Sequence, residues 1–399
     1  MGETELVALR FPERRSLATA LAKAWDRGLA ALVLDPDMTV AEQRRALRDF
    51  KPSRLVEPAG ESALADGVVV PGDVALVVGT SGTSGAPKGA VLTHRALRAA
   101  AAASQARLGR SSSDRWLCCL PLSHIGGLMT VVRSLLAGTF PVIHEEFDVE
   151  AIRAEASTTL ISLVPTALLK LLKAGVDLSH YSAVLLGGAP ATDKLLEDAR
   201  RLGAPVVTTY GMTETAGGCV YDGAPLDGVE TALESNEQII IRGPVLMAGY
   251  RLQPELTEKA LAGGWFRTAD RGEIGPDGRL RIFGRMDDVI ITGGLKVSPD
   301  KVEAVLLSHP LIADAAVGGV PDDKWGQIVG ALVVAKAHRR INAGQVKDFC
   351  RDHLARHQIP RQLSEVKSIP RSAAGKILRG RVNAILKSGD ADEAPGRGD

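Results

Sequence analysis

A run of small and β-branched apolar residues, Val74-Ala75-Leu76-Val77-Val78, leads within one residue into Thr80-Ser81-Gly82-Thr83-Ser84-Gly85-Ala86-Pro87-Lys88-Gly89. The apolar run reads as a buried parallel strand, and parallel strands are stable only under a cover of helices. The fold class is therefore constrained first: α/β. The ten residues from Thr80 carry three glycines, four hydroxyls and one lysine. Such a loop can wrap backbone N–H groups, hydroxyl donors and a positive charge around a polyphosphate. It is not a Walker A loop, because Pro87 stands where a glycine must precede the lysine. Composition alone also fits a flexible linker. The surrounding sequence decides between them.

From Asp73 onward, apolar β-runs alternate with segments of helical length. Strands are expected at 74–78, 116–120, 139–143, 160–164, 183–186 and 205–208, with helices at 95–106, 127–136, 166–173 and 193–202. That rhythm argues for βαβ units in a mostly parallel sheet. Residues 1–70 read as two or three helices with short strands, one of them at 30–34. After Tyr210 the pattern shifts to short strands (238–242, 280–283) and turns such as Asp277-Gly278, which suits a small distorted β-barrel. Beyond Asp288 lies a compact α+β unit of roughly 100 residues, a common domain size. Its expected elements are helices at 299–307 and 343–354 and strands at 315–320 and 330–334. The expected architecture is thus a large N-terminal domain, 1–284, of parallel helix-covered sheets plus the barrel-like part 211–284. A small mobile α+β domain, 285–387, and a disordered tail, 388–399, complete it.

With 48 basic and 47 acidic residues, the net charge of +1 gives no broad attraction to nucleic acid or anionic membrane. The four cysteines, Cys118, Cys119, Cys219 and Cys350, have neither metal-ligand nor disulfide-framework spacing and read as reduced, mostly buried thiols. No signal peptide or membrane span is legible near the start, so a cytoplasmic protein is expected.

Four more motifs join the hydroxyl-rich loop: Gly187-Gly188-Ala189-Pro190, Tyr210-Gly211-Met212-Thr213-Glu214, Trp265-Phe266-Arg267-Thr268-Ala269-Asp270 and Gly284-Arg285-Met286-Asp287-Asp288. Near the C terminus stands Pro370-Arg371-Ser372-Ala373-Ala374-Gly375-Lys376. In this order they resemble the acyl-adenylate-forming family of acyl- and aryl-CoA synthetases, luciferases and adenylation domains. The resemblance covers about residues 20–385. It implies that Thr80, Ser81, Gly82, Thr83, Ser84, Gly85 and Lys88 bind the ATP phosphates. It also implies that Gly188 and Ala189 border adenine, and that Tyr210 stacks on the base beside Gly211. Thr213 then contacts the α-phosphate, Glu214 holds Mg²⁺, Asp270 binds the ribose hydroxyls and Arg285 contacts the nucleotide. Asp287 is implied as a hinge and Lys376 as the catalytic lysine of a lid. A carboxylate suits these tasks, since a hard cation takes oxygen ligands. His124, in Leu120-Pro121-Leu122-Ser123-His124-Ile125-Gly126-Gly127-Leu128, fills the place of a residue that gates or lines the carboxylate site; a satisfied structural histidine is the alternative.

The implied reaction has two halves. A carboxylate attacks the α-phosphorus of ATP and expels pyrophosphate; then, after the C-terminal domain turns about Asp287, the sulfur of coenzyme A takes the acyl group and AMP leaves. Leu120–Leu128 contains no acidic residue that would hold an amino acid's ammonium. The segments His124–Leu128, Val132–Gly138 and Gly217–Gly228 are similar to those of o-succinylbenzoate–CoA ligases of menaquinone synthesis, the actinobacterial ones above all. A dicarboxylic aryl acid needs donors, for which Ser123, Ser162, Thr166, Thr209 and the Gly217-Gly218 backbone are candidates. Ser162 and Thr166 fit local backbone bonding equally well. Arg133 ranks below them, because helical spacing sets it off the His124 face. Alternatives are a ligase for another aryl or medium-chain acid, a stand-alone adenylation enzyme that loads a carrier protein, and a silent nucleotide binder. The expected partners are a carboxylic acid, ATP with Mg²⁺, and coenzyme A, with no nucleic acid; a homodimer is compatible.

Overall fold

The computed structural model describes residues 2–80, 88–109, 114–336, 341–371 and 377–389. The chain divides into two compact units. The larger comprises the chain up to Gly188 with Leu195–Ala232 and Ile240–Thr268; the smaller comprises Ala189–Lys194, Leu233–Ile239 and the chain from Ala269 onward.

Two seven-stranded sheets organise the larger unit. The first runs Gly249–Tyr250, Lys88–Thr93, Val74–Thr80, Ala30–Val33, Leu6–Leu9, Arg54–Glu57 and Gly60–Ala63. Leu6–Leu9 and Ala30–Val33 are buried at every position, the signature of strands covered on both faces. Val74–Thr80 pairs in parallel with Ala30–Val33 on one side but antiparallel with Lys88–Thr93 on the other. The strand at Lys88 was not legible in the sequence. Its glycine explains why: a Cβ on Gly89 would stand 2.9 Å from both the Phe50 ring and Val77, so a small residue is packed where a β-former was looked for. The first 70 residues hold two helices and more strands than expected. Of those helices, Val40–Phe50 starts at a capping box in which Thr39 and Glu42 satisfy each other's backbone N–H groups.

The second sheet follows the expected alternation. Its order is Val142–Ile143, Trp116–Cys118, Leu160–Leu163, Ala183–Leu186, Val206–Met212, Gly217–Tyr221 and Ala224–Pro225, parallel through Val206. Helices Ile125–Leu136, Pro165–Lys173 and Asp193–Arg201 lie between its strands in sequence, and His94–Leu108 precedes it. Thr93 caps this last helix by accepting the Ala96 N–H at 3.0 Å, and Gly109 at φ +61° ends it. The strand expected at 205–208 runs on to Met212 and folds back antiparallel on Gly217–Tyr221, with an irregularity at Tyr210/Gly211. Tyr210-Gly211-Met212 therefore lies inside a strand rather than after one. The stretch read as a small barrel supplies the short strands Glu230–Leu233 and Gln238–Arg242 and also a helix, Pro254–Ala260.

In the smaller unit, Asp270–Ile274 pairs antiparallel with Leu280–Arg285. A five-stranded sheet is built on the long hairpin Ile312–Asp322/Gly326–Ala335. One apolar cluster joins Val302 and Leu306 of helix Pro299–Ser308 to Val317, Val329 and Val346. A second packs Ala316 and Leu332 against Val382 and Leu386 of helix Arg379–Ser388, an element the sequence reading did not identify. Past Asp288 a hairpin pairs Ile290–Thr292 with Leu295–Val297, and its Gly293 and Gly294 both take positive φ.

Candidate nucleotide and acyl site

Thr80 and Lys88 face each other as the last register pair of their hairpin, and the Thr80 hydroxyl donates to the Lys88 carbonyl at 3.3 Å. Ser81, Gly82, Thr83, Ser84 and Gly85 lie outside the described residues. The Lys88 ammonium sits 5.6 Å from the centroid of the Tyr250 ring. From the other side, the Tyr250 hydroxyl donates to Glu214 Oε1 at 2.8 Å. Two motifs far apart in sequence thus meet through a residue that belongs to neither. Glu214 lies in a short 3-10 turn, Thr213–Thr215, whose Thr215 hydroxyl donates to the Gly217 carbonyl at 2.7 Å. Thr213, Glu214, Tyr210 and Gly211 are all half-buried.

Close backbone approach explains the glycines here. A Cβ on Gly187 would lie 2.3 Å from Thr209 Oγ1, and one on Gly211 would lie 2.1 Å from the Gly217 carbonyl oxygen. Gly188 adopts φ +79°, a conformation that favours glycine. Ala189 follows it and is counted with the smaller unit. Pro190 opens no helix, since the next one begins at Asp193.

Around the expected acyl site, Gly217 (φ +93°) has room for a Cβ only 3.3 Å from Met129 Cγ, and one on Gly218 would lie 3.0 Å from Thr209 Cβ. Thr209 Oγ1 also donates to the Leu186 carbonyl at 3.4 Å. Ser162 is buried, and its carbonyl accepts a weak contact from Cys119 Sγ at 3.8 Å. Thr166 does not cap its helix; Val164 stands at that position with no side-chain bond. The Ser123 hydroxyl is engaged by the Asp35 carboxylate, a residue at the end of the strand Ala30–Val33 that the motif reading did not select. His124, next in sequence, precedes the helix Ile125–Leu136. Although it counts among the exposed residues, desolvation lowers its imidazole pKa, against the opposing pull of Asp35.

Arg133 belongs to the helix Ile125–Leu136. It is indeed off the His124 face, but one turn beyond Met129 it lies on the face that meets the Gly217 strand. The residue is 3% exposed. Its guanidinium stands 5.2 Å from the Trp116 ring, with Nη2 3.5 Å from the Tyr221 hydroxyl, which in turn contacts Ser104 Oγ at 2.8 Å. Its Nε is buried without a partner, and no carboxylate among the described residues pairs with it. A buried cation in that state is costly unless an anion arrives.

The smaller unit carries its own set. Arg285 and Asp270 are a register pair, with Nε 3.6 Å from Oδ1. Asp287 is exposed just after them. Lys376 lies outside the described residues. All four cysteines are buried and free; burial pushes the Cys119 and Cys219 thiols up to about 12 and removes them as nucleophiles.

The Glu214 carboxylate accepts one O–H bond and forms no ion pair among the described residues, which fits a hard cation completed by phosphate and water oxygens. No cluster of three or more metal-ligating side chains occurs among those residues. No helix there is long and apolar enough to cross a membrane.

The chain is similar to known proteins over most of its length. Residues 59–251 match the model of the AMP-binding enzyme family, and residues 301–376 match the AMP-binding enzyme C-terminal domain. A probable 2-succinylbenzoate–CoA ligase of Mycobacterium tuberculosis is 42% identical over 349 residues, covering 83% of this chain and 89% of the relative. Among solved structures, the o-succinylbenzoate CoA synthetase (MenE) of Bacillus subtilis in complex with its acyl-adenylate intermediate superposes with a TM-score of 0.85 at 31% identity. That match covers 95% of this chain and 88% of the other. The same Bacillus protein with ATP and magnesium ion gives a TM-score of 0.84 at 30% identity, covering 94% and 89%.

Proposed function

Because this chain belongs to the AMP-binding enzyme family, we propose that it is an AMP-forming acid–thiol ligase that joins 2-succinylbenzoate to coenzyme A. It thereby serves menaquinone biosynthesis, in the cytoplasm, where ATP and coenzyme A are both available. In the first half-reaction a carboxylate oxygen bonds to the α-phosphorus of ATP, the Pα–O–Pβ bond breaks and pyrophosphate leaves. In the second, the sulfur of coenzyme A bonds to the acyl carbon, the thiol proton is released and the acyl–oxygen bond to AMP breaks.

The barrier in the first step is accumulating negative charge, so positioned donors and cations matter most. Mg²⁺, when bound, neutralises phosphate charge. Glu214 is assigned to hold it, Thr80, the 81–85 loop and Lys88 to cradle the phosphates, and Thr213 to contact the α-phosphate. Tyr210, Gly211, Gly188 and Ala189 are assigned to adenine, Asp270 to the ribose and Arg285 to the nucleotide. Lys376 is assigned the cation that meets the developing charge, and His124 the border of the carboxylate site. The observation that carries the reading is the meeting of Lys88 and Glu214 on Tyr250. For the acid itself, the support is Arg133: a buried guanidinium with no counter-ion among the described residues is what a substrate's second carboxylate requires.

A panel of carboxylic acids supplied with MgATP and coenzyme A tests this, read as AMP released and thioester formed. Turnover of 2-succinylbenzoate well above the other acids is expected. Indifference to it would overturn the substrate assignment and leave the ligase assignment standing.

A further inference from the structure

We propose that Tyr250 is a positioning residue for the nucleotide site, setting the Glu214 carboxylate and the Lys88 ammonium in a working arrangement before MgATP arrives. The proposal rests on the assignment of Glu214 to the metal and Lys88 to the phosphates. Tyr250 touches both through different parts of one side chain. Its hydroxyl donates to Glu214 Oε1 at 2.8 Å, and its ring face lies 5.6 Å from Lys88 Nζ. A hydrogen bond to one carboxylate oxygen fixes the rotation of the group and leaves the other oxygen for a ligand; partners of this kind govern metal affinity. The aromatic face restrains the ammonium without consuming its charge, as an ion pair to Glu214 would.

The backbone around Tyr250 is held as a template should be. Tyr250 pairs with Ala90 in the strand that begins at Lys88, and its N–H donates to Thr257 Oγ1 at 2.8 Å. Met247 N–H reaches the Glu214 carbonyl at 2.8 Å, and Arg251 N–H reaches the Gly89 carbonyl at 2.7 Å. The segment is thereby tied to both motifs it serves. Gly249, at φ +150°, has no space for a side chain, since a Cβ would lie 2.5 Å from Thr257 Cγ2. Arg251 anchors the far side. It is 6% exposed and donates to the carbonyls of Phe50, Lys51, Val68 and Val69. Desolvation lowers its pKa, and the ring of carbonyls takes the place of a counter-ion.

Calorimetric titration of ATP, in the absence of any acid, separates the two contacts. The wild type, Tyr250→Phe, Tyr250→Leu and Glu214→Gln are each titrated with MgATP and with ATP in a chelator. Tyr250→Phe removes only the hydroxyl, and MgATP binding should weaken about tenfold while metal-free ATP stays within about twofold. Tyr250→Leu should also weaken metal-free ATP, by about fivefold, because Lys88 loses its platform. Equal losses in both titrations for Tyr250→Phe, or a loss in neither, would overturn the proposal. If Glu214→Gln loses the metal-dependent gain and Tyr250→Phe keeps it, the Tyr250 proposal alone is wrong. If Glu214→Gln keeps that gain, the assignment of the carboxylate is wrong and Tyr250 falls with it.

Discussion

Each unit draws an arginine away from solvent, Arg133 buried and Arg379 half-buried, and they treat it in opposite ways. In the smaller unit Arg379 is surrounded by acid: Nη2 meets Asp300 at 2.8 Å, Nε meets Asp288 at 3.5 Å, and Glu303 binds the head directly. Burial works to lower its pKa, and the hydrogen bond and charge of Glu303, with Asp300 and Asp288, more than reverse this. Glu303 also accepts the Val317 N–H at 2.7 Å, so the cluster ties helix Pro299–Ser308 to the sheet and to helix Arg379–Ser388. In the larger unit Arg133 has an indole face and a phenol but, among the described residues, no carboxylate. One charge is answered within the protein and stabilises a fold. The other meets no carboxylate among the described residues, and we assign it to a ligand.

The sharpest way to break this contrast is to remove the guanidinium that awaits an anion. Arg133→Met should raise the KM for 2-succinylbenzoate about a hundredfold, the worth of a charge-paired hydrogen bond. It should leave turnover of 3-benzoylpropionate, which lacks the ring carboxylate, nearly unchanged. Because an uncompensated buried cation is lost, urea unfolding should show no loss of stability. Equal damage to both acids would assign Arg133 to the fold.

Arg379→Met should do the reverse. Three carboxylates would then share a site with no cation, and breaking such a buried network costs about 3–5 kcal/mol. Urea unfolding of the smaller unit measures this.

A finer test uses pH. Desolvation raises Asp300 to about 6, against the attraction of Arg379 and with help from Glu303, Asp288 and Asp270. Its folded pKa thus lies above the unfolded value of 3.8. The folded state holds the proton more tightly, so this contribution is present below pH 3.8 and is lost as pH rises through about 6. Asp300→Asn should flatten that decline in stability over the same window. A wild-type profile that rises there, or an unaltered slope in the variant, would contradict the cluster as described.

The contrast also shows what could be read from the chain. The alternating strands and helices from Asp73 to Thr208 were legible because each element is contiguous and its apolar period is local. The motifs Thr80–Gly89 and Tyr210–Glu214 could be picked out because each is contiguous in sequence. Tyr250, 36 residues from Glu214, was not, because its role exists only once two strands bring it there. Asp35, 88 residues from Ser123, is a similar case. Arg133 lies off the His124 face as its spacing required, but its neighbours Trp116 and Tyr221 were not legible. Spacing along a helix tells which residues share its face, not which strand that face will meet. The strand at Lys88 was hidden by Gly89, whose smallness answers to the Phe50 ring rather than to β-propensity.

The least ambiguous check of the central claim is mass spectrometry of the enzyme mixed with 2-succinylbenzoate and MgATP, first without coenzyme A. The account predicts a 2-succinylbenzoyl-adenylate with equimolar pyrophosphate, converted to the thioester and AMP when coenzyme A is added. Release of ADP and phosphate, or no adenylate before coenzyme A is supplied, would contradict it.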